Sequence, residues 1–132
     1  PAGLPQMTLH LPYPPTVNHY YARNRNGSVR LGAAGKTYRA EVWAICHQVR
    51  LQRLAGPVAM GIEVFPPDAR RRDLDNILKA LLDALQYGGA YNDDNQIVHI
   101  EITRYPHQKV GAVWVRLKTL AEWQADKLLG RR

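Results

Sequence analysis

Apolar and polar residues follow two rhythms along this chain, and the switches between them mark its elements. Val58, Met60, Ile62 and Val64 alternate with Ala59, Gly61, Glu63 and Phe65, a period of two that predicts a strand closed by Pro66-Pro67. Residues 97–105 and 110–117 repeat that alternation, with a turn near 106–109. Residues 7–11 read as a shorter strand, stopped by Pro12-Tyr13-Pro14-Pro15. The second rhythm is helical. Tyr38, Val42, Ile45 and Val49 recur at three or four residues within 33–54, and Gly56-Pro57 ends that run. The strongest helix covers 74–86, where Leu74, Ile77, Leu78, Leu81 and Leu85 share one face and Gly88-Gly89 stops the chain. At about 100° per residue, Asp75, Asn76, Lys79 and Asp83 group on its opposite side. A last amphipathic helix is predicted over 121–129 through Trp123 and Leu128, ahead of Arg131-Arg132. Residues 18–35, polar and rich in turn formers, read as a loop or hairpin.

These elements predict one α+β domain over residues 1–132, a small sheet packed with two main helices. Its core spans about 7–118, and 119–132 form a C-terminal extension. The chain opens at Pro1 without methionine, which leaves residues 1–6 open between a processed end and an added segment. Cys46 is the single cysteine, so no internal disulfide can form, and among Val42, Ile45 and Val49 it reads as core rather than nucleophile. No apolar run approaches the ~20 residues of a membrane span, and the N-terminus lacks a signal-peptide pattern. The expected setting is the cytosol of a bacterium or phage host.

Charge sharpens the picture. Lysine and arginine outnumber acids 18 to 11, a net charge of +7 that points to a polyanionic partner. The informative segment is Asp68-Ala-Arg70-Arg71-Arg72-Asp73-Leu74-Asp75-Asn76-Ile77-Leu78-Lys79, followed by Tyr91-Asn92-Asp93-Asp94. Acids and arginines meet where a strand ends and a helix begins, the mixture that phosphodiester hydrolysis requires. Carboxylates hold Mg²⁺, which keeps a few oxygen ligands plus water, and the metal polarises the phosphate. Arginines grip phosphate bidentately and offset developing charge. Asp73 and Asp75 converge only if Asp73 lies outside the helix and Asp75 in its first turn; Lys79 follows one turn later. A purely structural account is also open. Asp73 suits an N-cap, Asp75–Lys79 an i,i+4 ion pair, and Asn92-Asp93-Asp94-Asn95 a plain turn.

These residues carry a family resemblance. Arg-Arg-Asp73-Leu-Asp75-Asn76 with Lys79, then Asp94, resembles the RusA family of crossover-junction endodeoxyribonucleases. The segment Leu11-Pro12-Tyr13-Pro14-Pro15-Thr16-Val17-Asn18-His19-Tyr20-Tyr21 resembles the family's opening element, and Gly35-Lys36-Thr37-Tyr38-Arg39 its Gly-x-x-Tyr-Arg helix start. The likeness runs from about Leu9 to about Leu117. It implies a mixed α/β fold in an intertwined homodimer, Mg²⁺ dependence with Mn²⁺ as substitute, and paired symmetric nicking of four-way (Holliday) junctions in DNA recombination and repair. It also implies Asp73, Asp75 and Asp94 as metal ligands, Lys79 as the essential lysine, and Arg72 as a DNA contact, with Asp93 the less favoured of its pair.

The remaining cations sort around this site. Arg70 and Arg71 flank it, and Arg23, Arg25, Arg30, Lys36 and Arg39 accompany Tyr20 and Tyr21, a basic-aromatic mix suited to DNA backbone contact and stacking. Trp43 and Trp114 are expected in core or interface, and His99 and Glu101 as a solvent-facing pair. The proline-rich opening, stiff and extended, could cross to a partner subunit. A non-catalytic DNA-binding protein, or a nuclease for other branched DNA such as flaps, stays open as the alternative.

Overall fold

The period-two segments become a four-stranded sheet in the computed structural model, which describes residues 7–131. The expectation for residues 1–6 lies outside them. Strands β1 (Met7–Leu11), β4 (Val58–Phe65), β5 (Ile97–Arg104) and β6 (Ala112–Thr119) lie in the order β1-β6-β4-β5. A short hairpin, β2 (Tyr21–Arg23) with β3 (Val29–Leu31), follows the single-turn helix α1 (Val17–Tyr20). Helices α2 (Ala33–Gln48), α3 (Leu78–Tyr87) and α4 (Leu120–Leu128) complete the domain.

Strand β4 is the spine. It pairs antiparallel with β6 and parallel with β5. The expected turn at 106–109 is therefore no hairpin: β5 and β6 lie on either side of β4, and the connection crosses it. The β6 strand also starts later than its alternation suggests. Val110 and Gly111 both take left-handed backbone, at φ 77° each, and Val110 stands 82% exposed.

Val58, Met60, Ile62 and Val64 share a core with Tyr38, Val42 and Cys46 of α2 and Ala80, Leu81, Ala84 and Leu85 of α3. On the other face, Ala59 and Gly61 are buried as well, because α4 lies there against β6 and β4. Burial on both faces accounts for the small side chains at these two positions, while Glu63 and Phe65 beyond them are only half-buried. The predicted C-terminal extension is thus a packed helix. Thr119 caps it by accepting from the Glu122 N–H, Trp123 is buried, and Lys118 pairs with Asp126, which also takes Arg131 at 3.0 Å.

Helix α2 stops at Gln48, short of the predicted limit, so Val49 falls outside its buried face and Cys46 fills that place. Burial pushes the Cys46 thiol up to about 11, which leaves it inert at neutral pH. Tyr38 ties the proline-rich opening to its own chain by donating to the Pro12 carbonyl at 2.8 Å. Among the described residues no helix is long and apolar enough to cross a membrane.

Gly35 shows how closely α1 approaches α2. A Cβ there would stand 2.3 Å from the Tyr20 carbonyl oxygen and 2.8 Å from the Leu31 side chain. Glycine to alanine inside a helix ordinarily gains about 1 kcal/mol. Gly35→Ala is expected instead to lower stability by about 1–3 kcal/mol, the cost of overpacking. Urea denaturation measures it, and a variant more stable than wild type would refute the close approach.

Candidate active site

Because β4 and β5 run parallel, their C-terminal ends meet at one edge of the sheet. The loop that leaves β4 is pinned there by neighbours on both sides. The Gln108 N–H donates to the Pro66 carbonyl at 2.8 Å, and the Arg104 guanidinium donates to the Arg72 carbonyl at 2.6 Å. Inside the loop, Asp68 organises the arginines. It takes the Arg70 N–H at 2.9 Å and the Arg72 guanidinium at 2.7 Å, with Arg70 more loosely at 3.3 Å. The Arg72 hydrogen bond and then the Arg70 N–H hold the Asp68 carboxyl well below the usual carboxylate range. Arg72, its side chain 19% exposed, also lies 5.8 Å over the Tyr13 ring. Arg70 and Arg71 point outward.

The loop delivers Asp73 in extended backbone, φ −92° and ψ 137°, and the chain then winds as a 3-10 turn over Leu74–Ile77 before α3 begins. Asp73 occupies the N-cap position, yet its side chain caps nothing. Neither the Asp73 nor the Asp75 carboxylate takes a hydrogen bond or ion pair from any described residue, and both residues are exposed. The structural account offered by capping and an Asp75–Lys79 pair therefore fails at both carboxylates. The two acids and Arg70, Arg71 and Arg72 line one open cleft of about 850 Å³, which Arg104, Tyr105 and His107 also line.

Asp93 and Asp94 take different partners. Asp93 is a structural cap: its carboxylate accepts from the Asn95 N–H at 2.9 Å, while the Gln96 side chain accepts the Asp93 N–H at 3.1 Å. Asp94 keeps its carboxylate for Lys79, 3.9 Å away, and its N–H bonds Gln86 of α3 at 2.9 Å. The structure thus brings Asp73 to Asp75 and Asp94 to Lys79, with the 3-10 turn and the start of α3 joining the pairs. Among the described residues no three His, Cys, Asp or Glu side chains converge closely enough to enclose an ion.

Other predicted residues land elsewhere. Arg39 is 30% exposed and committed to Asp83 at 2.8 Å, so its guanidinium serves the α2–α3 contact. Asp83, expected on the solvent side of its helix, is half-buried there. Arg30 ties the hairpin by donating to the Arg23 carbonyl and to Asn24. Arg23, Arg25 and Lys36 stand exposed. Trp43 and Trp114 are not core: they are 45% and 39% exposed, stacked on His47 and against His10. His99 pairs with Glu101 at 3.2 Å on the surface of β5. Sequence reasoning missed Asp68, Arg104 and His107. The Asp68-x-Arg70-x-Arg72 spacing held a signal for the first; the other two reach the cleft only through the parallel pairing.

Residues 12–118 match the profile of the family Endodeoxyribonuclease RusA. The crossover junction endodeoxyribonuclease RusA of Shigella sonnei (strain Ss046) is 43% identical over 105 residues, covering 79% of this chain and 87% of that protein. The protein of the same name from Escherichia coli (strain K12) gives the same identity and coverage. That of Enterobacteria phage 82 is 44% identical over 104 residues, 78% of this chain and 86% of its own. The chain belongs to the RusA endodeoxyribonuclease family.

The division of the acids makes a stability test. Asp73→Asn and Asp75→Asn, which break no internal bond, are expected to leave the thermal midpoint unchanged. Asp93→Ala removes a cap and should cost about 1 kcal/mol. Calorimetry on the three variants checks this, and marked destabilisation of Asp75→Asn would restore a structural role for that carboxylate.

Proposed function

We propose that this protein is a metal-dependent, structure-selective endonuclease that resolves four-way DNA junctions by paired symmetric nicks, in recombination and repair. The observation that carries it is the pair of partnerless carboxylates, Asp73 and Asp75, set beside outward arginines in a chain related to crossover junction endodeoxyribonucleases. Exposed carboxylates crowded by cations yet bonded to none are poised for something the chain itself does not supply.

Their donor chemistry fits Mg²⁺, or Mn²⁺ in its place. Mg²⁺ sites use one or two carboxylates together with water and substrate phosphate rather than an all-protein cage. Asp73, Asp75 and Asp94 would hold it, and when bound it supplies Lewis-acid polarisation of the scissile phosphate. The rest falls to the protein's own groups. Arg70 and Arg71 take non-bridging phosphate oxygens and hold the phosphodiester against the cleft. Arg72, paired to Asp68, fixes the loop that aims them and meets the DNA along its remaining edge. Lys79, on the first turn of α3, places its ammonium where charge builds on the departing oxygen.

The two cuts in opposed strands need two sites related as the strands are, which a two-fold homodimer provides. The enzyme works on DNA in the cytosol.

A labelled four-way junction should be cut with Mg²⁺ and left intact in EDTA, while a matched linear duplex survives both. Asp75→Asn should bind the junction at least as tightly as wild type and fail to cut it, since repulsion between carboxylate and phosphate is relieved. Cutting that persists in EDTA would rule out the mechanism. Mixed dimers of wild type and Asp75→Asn are expected to nick one strand and rarely resolve. Sedimentation showing a monomer that still cuts both strands would overturn the two-site arrangement.

A further inference from the structure

A second basic surface lies apart from the carboxylate cleft. Lys36, Arg39, Trp43, His47 and Arg50 follow one another at steps of three or four residues, so they form a single stripe along α2 and its C-terminal end. At 1.5 Å per residue the stripe is about 20 Å long. Near its end, where Arg50 takes left-handed backbone at φ 56°, α2, the C-terminus of α3 and the loop after α2 enclose a cleft of about 440 Å³. Trp43, His47, Arg50, Arg53 and Tyr87 line it, and none of the described lining residues is acidic.

Two large rings are left in solvent here. Trp43 is 45% exposed and Tyr87 is 54% exposed. Both are braced: Trp43 lies on the His47 ring at 3.8 Å and 23°, and Arg39 sits 5.0 Å over Tyr87. The Arg50 guanidinium has no hydrogen bond or ion pair to any described residue. Braced, exposed rings beside arginines with no acid among the lining residues match the chemistry of an unpaired strand, whose bases offer faces to stack on and whose phosphates need counter-charge. Paired bases in a duplex would offer only their edges.

The cleft also connects to the carboxylates. Tyr87 stands eight residues beyond Lys79, about 12 Å along α3. Arg53 bonds Asn92, two residues before Asp94, so the cleft wall and the Asp94 turn are one piece.

We propose that this cleft binds unpaired DNA, with Trp43 and Tyr87 stacking bases of a strand that leaves the branch point while Arg50 and Arg53 take its phosphates. The assignment rests on the proposed action on branched DNA and extends it to a track outside the cutting site. The test is fluorescence anisotropy in EDTA with a labelled oligothymidylate of about 16 nucleotides, a length that spans such sites. Trp43→Ala should weaken binding roughly tenfold, and Trp43→Phe should recover most of it because a ring returns. Arg50→Gln should reduce the slope of log affinity against log salt by about 0.7. Affinity for blunt duplex should stay at the wild-type value in every variant. Equal oligothymidylate affinity in wild type and Trp43→Ala would overturn the proposal. So would a Trp43→Ala variant that sediments as a smaller species than wild type, which would give this face to a second copy of the chain. Cutting of a four-way junction by wild type with Mg²⁺, measured alongside, reports on the proposed function separately. Loss of that cutting with the Trp43 dependence intact would leave the cleft standing.

Discussion

Arg39 of α2 gives both its Nε and its Nη2 to one oxygen of Asp83 on α3, and the Tyr20 hydroxyl at the end of α1 donates to the same oxygen. Three elements are thereby tied at a single carboxylate. The pair is only part-buried, and ion pairs of this kind add little net stability because desolvation offsets attraction. What it fixes is register. With Asp83 held, Lys79 one turn earlier is aimed at Asp94, and Tyr87 one turn later lies under Arg39. Burial, then the bond to Asp83, pushes the Tyr20 phenol far up, so it stays a donor throughout the physiological range. Gly35 belongs to the same arrangement, since the missing Cβ lets α2 settle against the Tyr20 carbonyl.

The loop after β4 solves a different electrostatic problem. Asp68 absorbs the charge of Arg72 and turns it into a brace, leaving Arg70 and Arg71 as the cations that face solvent. Arginines so close in sequence would otherwise repel one another and splay the loop. The neighbouring Asp73 and Asp75 are spared from this pairing, so positive and negative groups coexist in one cleft without neutralising each other.

Much of the fold was legible in hydrophobic rhythm. The alternation in β4 and the leucine face of α3 each marked an element and its buried side. Strand order was not legible, because a period of two says which face is buried and nothing about which strand lies alongside. Hence the turn expected near 106–109 joins two strands that β4 separates. The candidate site was legible in kind and blurred in detail. Asp93 and Asp94 look alike as residues, and only the hydrogen bonds of the turn decide which is the cap. Asp83 shared a polar helix face with Lys79, and nothing local revealed that Arg39 would reach it from another helix. Trp43 was expected in core or interface, and its exposure, which excludes the first, follows from its place on the outer stripe of α2.

The winding between Asp73 and Lys79 has a mechanical consequence. The Leu74–Ile77 turn is 3-10, advancing about 120° per residue against about 100° in the α-helix that follows. Three residues separate Asp75 from Leu78, so relaxing that turn to α would rotate Asp75 by about 60° around the axis of α3 while Lys79 stayed still. The bearing of the Asp75 carboxylate is thus set by the winding of this turn, and Ile77, buried in the core, with Leu74 packed on it, holds that winding in place.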